Sequence, residues 1–100
     1  MKNGIEVNEE GSKFYYKDDK YHRTDGPAIE YADGSKAWFV DGELRREDGP
    51  AVEFANGYKA WYVNGELHRT DGPAVERTDG SKSWFIGGIN MTEEQFNKRK

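Results

Sequence analysis

Arg46-Glu47-Asp48-Gly49-Pro50-Ala51 decides the fold, because the phrase recurs as Arg23-Thr24-Asp25-Gly26-Pro27-Ala28 and as Arg69-Thr70-Asp71-Gly72-Pro73-Ala74. The copies stand 23 residues apart. A fixed period of that size predicts a repeat architecture, in which each unit buries its apolar face only against its neighbours. Proline fixes its own φ and pushes the glycine before it out of the helical region, so no helix crosses the phrase and the chain must turn there. The Asp can accept hydrogen bonds from nearby amides, and the Arg two residues upstream can lie beside it. The expected product is a rigid, self-satisfied corner.

Working outward, residues 22–44, 45–67 and 68–90 form three full copies. In the first, Ala28-Ile29-Glu30-Tyr31 is a short β-favouring run, Ala32-Asp33-Gly34-Ser35 a turn, and Lys36-Ala37-Trp38-Phe39-Val40 a second run. Asp41-Gly42, Asn64-Gly65 and Gly87-Gly88 then suit two-residue type I′ hairpin loops. Glu43-Leu44 is expected to pair back on the Trp strand. The predicted fold class is mainly β, a single-layer curved antiparallel meander of hairpins.

The ends differ from the copies. Residues 1–21 read as a degenerate N-terminal cap, since Gly11-Ser12-Lys13-Phe14-Tyr15-Tyr16 precedes Gly34-Ser35-Lys36-Ala37-Trp38-Phe39 by one period but no Gly-Pro corner stands in front of it. Its charged residues, Glu9, Glu10, Lys13, Lys17, Asp18, Asp19 and Lys20, are expected to guard an exposed sheet edge. Residues 91–100 change character. Thr92-Glu93-Glu94-Gln95 has the capping-box form, and Lys98, Arg99 and Lys100 suit a helix C-terminus. The expected element is a short capping helix with Phe96 docked on the last hairpin.

Composition narrows the function classes. The 100 residues make one small domain with 14 aromatics, no cysteine and a formal net charge of −4. Such a charge argues against non-specific nucleic-acid binding, which needs clustered Lys and Arg. The start of the chain, Met1-Lys2-Asn3-Gly4, shows no apolar run of signal-peptide or membrane-spanning length. The absence of cysteine favours a reducing compartment, so a cytoplasmic protein without membrane insertion is expected.

Period-2 alternation sorts the side chains into rows. Trp38, Trp61 and Trp84, with Tyr15 in phase, are read as core, their gaps filled by Ile29, Val52 and Val75. The opposite row, Tyr16, Phe39, Tyr62 and Phe85, carries hydroxyls that suit a partly wet recognition face, because Tyr and Trp are common interface anchors. Lys36, Lys59 and Lys82, with Arg23, Arg46 and Arg69, form a cationic row suited to an acidic partner. Tyr58, standing where other copies have a turn serine, and Arg77, standing where they have Tyr31 and Phe54, break the internal symmetry together with Thr78. These exceptions are the first candidates for specificity.

Catalytic and metal-binding sets do not emerge. His22 and His68 occupy the phase that Arg45 holds in the middle copy, and Arg can serve neither as base nor as ligand. Asp25, Asp48 and Asp71 belong to the corners, Glu30, Glu53 and Glu76 to a repeated row. Ser12, Ser35 and Ser81 lack a nucleophile motif, and no phosphate-binding Gly loop is present. No enzyme and no cofactor are expected.

The run Trp61-Tyr62-Val63-Asn64-Gly65-Glu66-Leu67-His68-Arg69, succeeded by Gly72 and by Asp79-Gly80-Ser81-Lys82, resembles MORN repeats over residues 11–90. The corner phrase departs from that family's usual Gly-x-Gly pattern. With its Thr-Glu-Glu-Gln-Phe ending, the chain also looks like small repeat proteins of large-genome bacteriophages. The resemblance implies a binding scaffold, located in the host cytosol and acting on a host defence protein as an inhibitor. Three classes are compatible with it: a protein-binding module, a sponge for a nucleotide or other small anionic ligand, and a structural spacer. Self-association is compatible with each.

Overall fold

The computed structural model describes residues 1–99; Lys100, grouped above with the helix C-terminus, lies outside them. The described residues form fourteen short strands and one helix. These are β1 (Gly4–Val7), β2 (Lys13–Lys17), β3 (Lys20–Tyr21), β4 (Ile29–Glu30), β5 (Lys36–Ala37), β6 (Phe39–Val40), β7 (Glu43–Leu44), β8 (Val52–Glu53), β9 (Lys59–Ala60), β10 (Tyr62–Val63), β11 (Glu66–Leu67), β12 (Val75–Glu76), β13 (Lys82–Ile86), β14 (Ile89–Met91) and α1 (Glu93–Lys98). The fold is mainly β, an antiparallel meander with one short C-terminal helix. Its principal sheet has ten strands in the order β1-β2-β4-β5-β8-β9-β12-β13-β14, with β3 on β2.

Two kinds of turn build it. Asp18-Asp19, Asp41-Gly42, Asn64-Gly65 and Gly87-Gly88 all have two consecutive positive φ angles, as a type I′ loop requires. The other turns use one positive-φ glycine and an Asx cap: Asp33 Oδ1, Asn56 Oδ1 and Asp79 Oδ1 accept from the N–H groups of Ser35, Tyr58 and Ser81 at 2.8–3.0 Å. Each such turn is closed by the same backbone pair, Tyr31 N–H to Ser35 O, Phe54 N–H to Tyr58 O and Arg77 N–H to Ser81 O.

The run expected over 36–40 is interrupted at Trp38, and Trp61 interrupts the next one in the same way. The interruption is a change of partner. Trp38 N–H bonds Ala51 O beyond the next corner, while its carbonyl accepts from Arg45 N–H. Beyond the two tryptophans the chain forms separate hairpins, β6–β7 and β10–β11. Each loop tip donates to the hairpin before it: Gly42 N–H to Tyr21 O, Gly65 N–H to Leu44 O, Gly88 N–H to Leu67 O.

Registers place two rows on opposite faces. One runs Lys13, Glu30, Lys36, Glu53, Lys59, Glu76, Lys82 across successive strands; the other runs Phe14, Ile29, Ala37, Val52, Ala60, Val75, Ser83. The core consists mostly of small residues, several of them from the second row. Ala28, Ala51 and Ala74 are completely buried, with Ile29, Ala37, Ala60, Val75 and Phe96 close behind, and no large side chain is fully buried.

One expectation about the N-terminal cap needs correction. It contains an additional strand, β1, so the edge is formed by Gly4–Val7 and not by the charged β2. In register, Glu6 takes the place held by the buried Ile29, while Ile5 and Val7 flank it and remain about 60% exposed. The inverted hydrophobic phase hid the strand. At the other end the capping box is formed, Thr92 Oγ1 accepting from Gln95 N–H and Gln95 Oε1 accepting from Thr92 N–H.

Candidate functional site

The corners are closed upon themselves. Arg46 Nε donates to Asp48 Oδ1 (3.0 Å), and its Nη1 donates to Pro50 O (3.0 Å) and Glu53 Oε2 (2.6 Å). The guanidinium carbon lies 3.8 Å from the centre of the Trp38 ring. Arg69 repeats the set on Asp71, Pro73, Glu76 and Trp61, and Arg23 on Asp25, Pro27, Glu30 and Tyr15. It is therefore these guanidinium groups that cover Trp38 and Trp61. Ile29, Val52 and Val75 lie in register with Ala37 and Ala60 on the opposite face, which corrects their expected place between the rings. The corner arginines are committed internally, and the cationic row loses half its members.

The lysines stand in a row of mixed sign. Lys36, Lys59 and Lys82 are exposed, but each stands across from a glutamate of the neighbouring strands. The row alternates in charge across the strands, which weakens its pull on an acidic surface. On the same face, open grooves of about 730 and 640 Å³ lie between successive corners, floored by Trp38 and by Trp61. Their rims carry exposed carboxylates: Asp25, Glu47 and Asp48 at the first, Glu47, Asp48 and Asp71 at the second. The Arg23 guanidinium holds the Asp25 carboxyl below its ordinary value, and Arg69 does the same for Asp71.

Tyr16, Phe39, Tyr62 and Phe85 are half-buried on the other face. The ring of Tyr21 lies 5.2 Å from those of both Tyr16 and Phe39. Burial raises the phenol pKa of Tyr62, with the nearby Tyr58 adding to it, and burial followed by a hydrogen bond with Tyr21 raises that of Tyr16. At its N-terminal end this row packs one hairpin against the next through Tyr21.

The exposed aromatic surface lies farther along that face, at the Asx-turn edge. Tyr31 and Phe54 are 40% and 46% exposed. Tyr31 meets Phe14 edge-on at 6.3 Å, and Tyr58 stacks on Phe54 at 5.2 Å and 27°. Tyr58, in the place of a turn serine, is thus half-buried against a ring. Arg77 is exposed, donating to Ser83 Oγ (2.8 Å) and Ser81 Oγ (3.5 Å). Tyr31, Phe54 and Arg77 occupy equivalent ends of β4, β8 and β12. Sequence reasoning picked out Tyr58 and Arg77 but passed over Tyr31 and Phe54 as ordinary strand residues; the legible signal was that the same phase tolerates Arg77.

The histidines sit in the turns. His22 Nδ1 accepts from Asp41 N–H (3.0 Å) and His68 Nδ1 from Gly87 N–H (2.8 Å), while Arg45 in the equivalent place donates to Asn64 Oδ1 (3.5 Å). Among the described residues no cluster of His, Asp and Glu suits a metal ion, and no helix is long and apolar enough to cross a membrane. No protein-family model matches the chain, and no curated protein matches it.

Proposed function

We propose that this protein is a non-enzymatic binding module that recognises another protein through the aromatic edge formed by Tyr31, Phe54, Tyr58 and Arg77. One observation carries the reading. Ser12 Oγ accepts from Ala32 N–H and Ser35 Oγ from Ala55 N–H, both at 2.9 Å, and the next residue in that series is Tyr58. Among the described residues no side chain takes up the equivalent Thr78 N–H. A hydrogen bond between neighbouring turns has been exchanged for an aromatic plate at the surface. Such an exchange serves recognition better than stability, because exposed aromatic and Arg side chains supply most interface energy. The resemblance to MORN repeats agrees with a scaffold role. The acidic groove rims disfavour a small anionic ligand on the opposite face.

Affinity capture of the native partner, followed by calorimetry, tests this. Tyr58→Ser and Arg77→Tyr borrow residues from other copies, so both should fold. In Tyr58→Ser the regained hydrogen bond, about 0.5–1.5 kcal/mol, offsets a ring pair of similar size. The melting temperature is expected not to fall, while partner affinity drops about tenfold or more. Phe39→Ala and Tyr62→Ala should instead lower the melting temperature. Unchanged affinity in both edge variants would sink the reading.

A further inference from the structure

The edge has a fixed rhythm. One strand, β5, lies between β4 and β8, and one, β9, between β8 and β12. Tyr31, Phe54 and Arg77 are therefore rungs two strand spacings apart, about 9.4–9.8 Å each. A polyproline II helix has three residues per turn and a rise of about 3.1 Å, so every third residue returns to the same side after about 9.3 Å. Over the two intervals it drifts by less than about 1 Å. An extended strand repeats its side every ~6.7 Å and misses the rungs. An α-helix returns to one face after seven residues, about 10.5 Å, and is nearly 2 Å out of step by the third rung.

The chemistry of the rungs agrees with that rhythm. Tyr31 and Phe54 bound a shallow groove of about 530 Å³ whose other walls are Asp33, Ser35, Ala55 and Asn56. Exposed rings on a polar floor suit proline rings, whose stiff backbone loses little entropy on binding and leaves its carbonyls free. Arg77 ends the row. Among the described residues no carboxylate lies within 4 Å of its guanidinium, whose hydrogen bonds go to the hydroxyls of Ser81 and Ser83; Asp79 feels its charge without pairing directly. The remaining donors of Arg77 fit a carboxylate bidentately.

Resting on the binding-module reading, we propose that the edge takes a proline-rich polyproline II segment of a partner protein, packing prolines three residues apart on Tyr31 and Phe54. A carboxylate one turn farther on meets Arg77.

Calorimetric titration of the full chain tests this with two capped peptides, nine prolines followed by three aspartates and three aspartates followed by nine prolines, which cover both chain directions. Nine prolines span about 28 Å, enough for all rungs. At least one peptide is expected to bind saturably. Exchanging its aspartates for lysines should weaken binding about tenfold, and exchanging its prolines for a Gly-Ser run should abolish saturation. Phe54→Gln should weaken binding by a similar factor while lowering the melting temperature only by the loss of its ring pair with Tyr58; Tyr31→Gln reads the neighbouring rung should that variant fail to fold. Arg77→Gln should remove the preference for aspartate over lysine, which a merely structural arginine would not govern.

Failure of both peptides to saturate, equal binding of the lysine or Gly-Ser versions, or stronger binding of an oligothymidine to the same edge would overturn the proposal. If a captured native partner nevertheless depends on Tyr58 and Arg77, the polyproline inference alone falls. If it does not, the binding-module reading falls with it.

Discussion

Each corner glycine is held by a side chain. A Cβ on Gly49 would stand 2.9 Å from the guanidinium carbon of Arg46, and Gly26 and Gly72 meet Arg23 and Arg69 at the same distance. Arg46 cannot move aside cheaply, because Trp38, Asp48, Pro50 and Glu53 hold it. Gly49→Val is therefore expected to destabilise by about 1–3 kcal/mol, the scale of losing charge-assisted hydrogen bonds. Pro50→Ala costs only unfolded-state freedom, about 0.4–1 kcal/mol. Urea midpoints of the two variants check the order, and equal values would contradict the close approach. The close approach of arginine, and not a positive φ, sets this requirement for glycine, since the corner glycines are absent from the positive-φ set.

At the scale of elements, acid should loosen the corners and Asx turns together. Arg23 and Arg69 lower the carboxyl pKa values of Asp25 and Asp71; the Ser35 amide lowers that of Asp33, and the Ser81 hydroxyl that of Asp79. A folded-state pKa below the unfolded one contributes stability that is present above the unfolded value, about 3.9 for Asp, and is lost as pH falls through the folded value. Urea midpoints should thus hold from pH 7 to about 5 and fall below about pH 4. Added salt should soften the fall, because these carboxylates are exposed. A flat profile from pH 5 to 2 would remove the corner ion pairs from the account.

The helix is an element with a specific duty. Thr92 stands where a fourth corner arginine would fall, and Phe96, 4% exposed, lines the groove floored by Trp84. Arg99 covers the Phe96 ring at 4.2 Å and donates to Thr70 O, tying α1 to the last corner. Thr92→Ala should cost about 0.5–2 kcal/mol through the lost cap. Phe96→Ala should cost more, about 3–5 kcal/mol, and red-shift tryptophan emission as Trp84 becomes wet. Emission unchanged in Phe96→Ala would mean that the helix does not cover Trp84.

For the whole molecule, successive corners bond in the same way, and each loop tip bonds the hairpin before it. Deleting residues 45–67 removes one corner and the hairpins of one copy while rejoining Leu44 to His68 in phase. The shortened chain is expected to fold with β-type circular dichroism and lower stability. Its longest dimension, 45 Å in the full chain, should shrink by two strand spacings, about 10 Å. Solution scattering measures that change, and an unfolded product would show that the copies are not interchangeable units.

Local chemistry made the corner, the hairpin loops and the capping box legible from sequence, because Gly-Pro, Asp-Gly, Asn-Gly and Thr-x-x-Gln act through their own backbone within a few residues. The period of 23 brought the tryptophans into one row. Other features depended on partners far along the chain. Strand β1 escaped notice because its hydrophobic phase is inverted: Glu6 stands one period before Ile29, and only pairing with β2 shows that this polar position belongs to a strand. The corner arginines looked free until stacking on Trp38 and Trp61 and pairing with Glu53 and Glu76 used them up. The lysine row looked cationic until antiparallel pairing set a glutamate beside each lysine. Tertiary structure decided which charges remain available, because a charge is spent by whatever lies beside it in space. By that measure Arg77, which the sequence marked only as an exception, keeps donors for a partner.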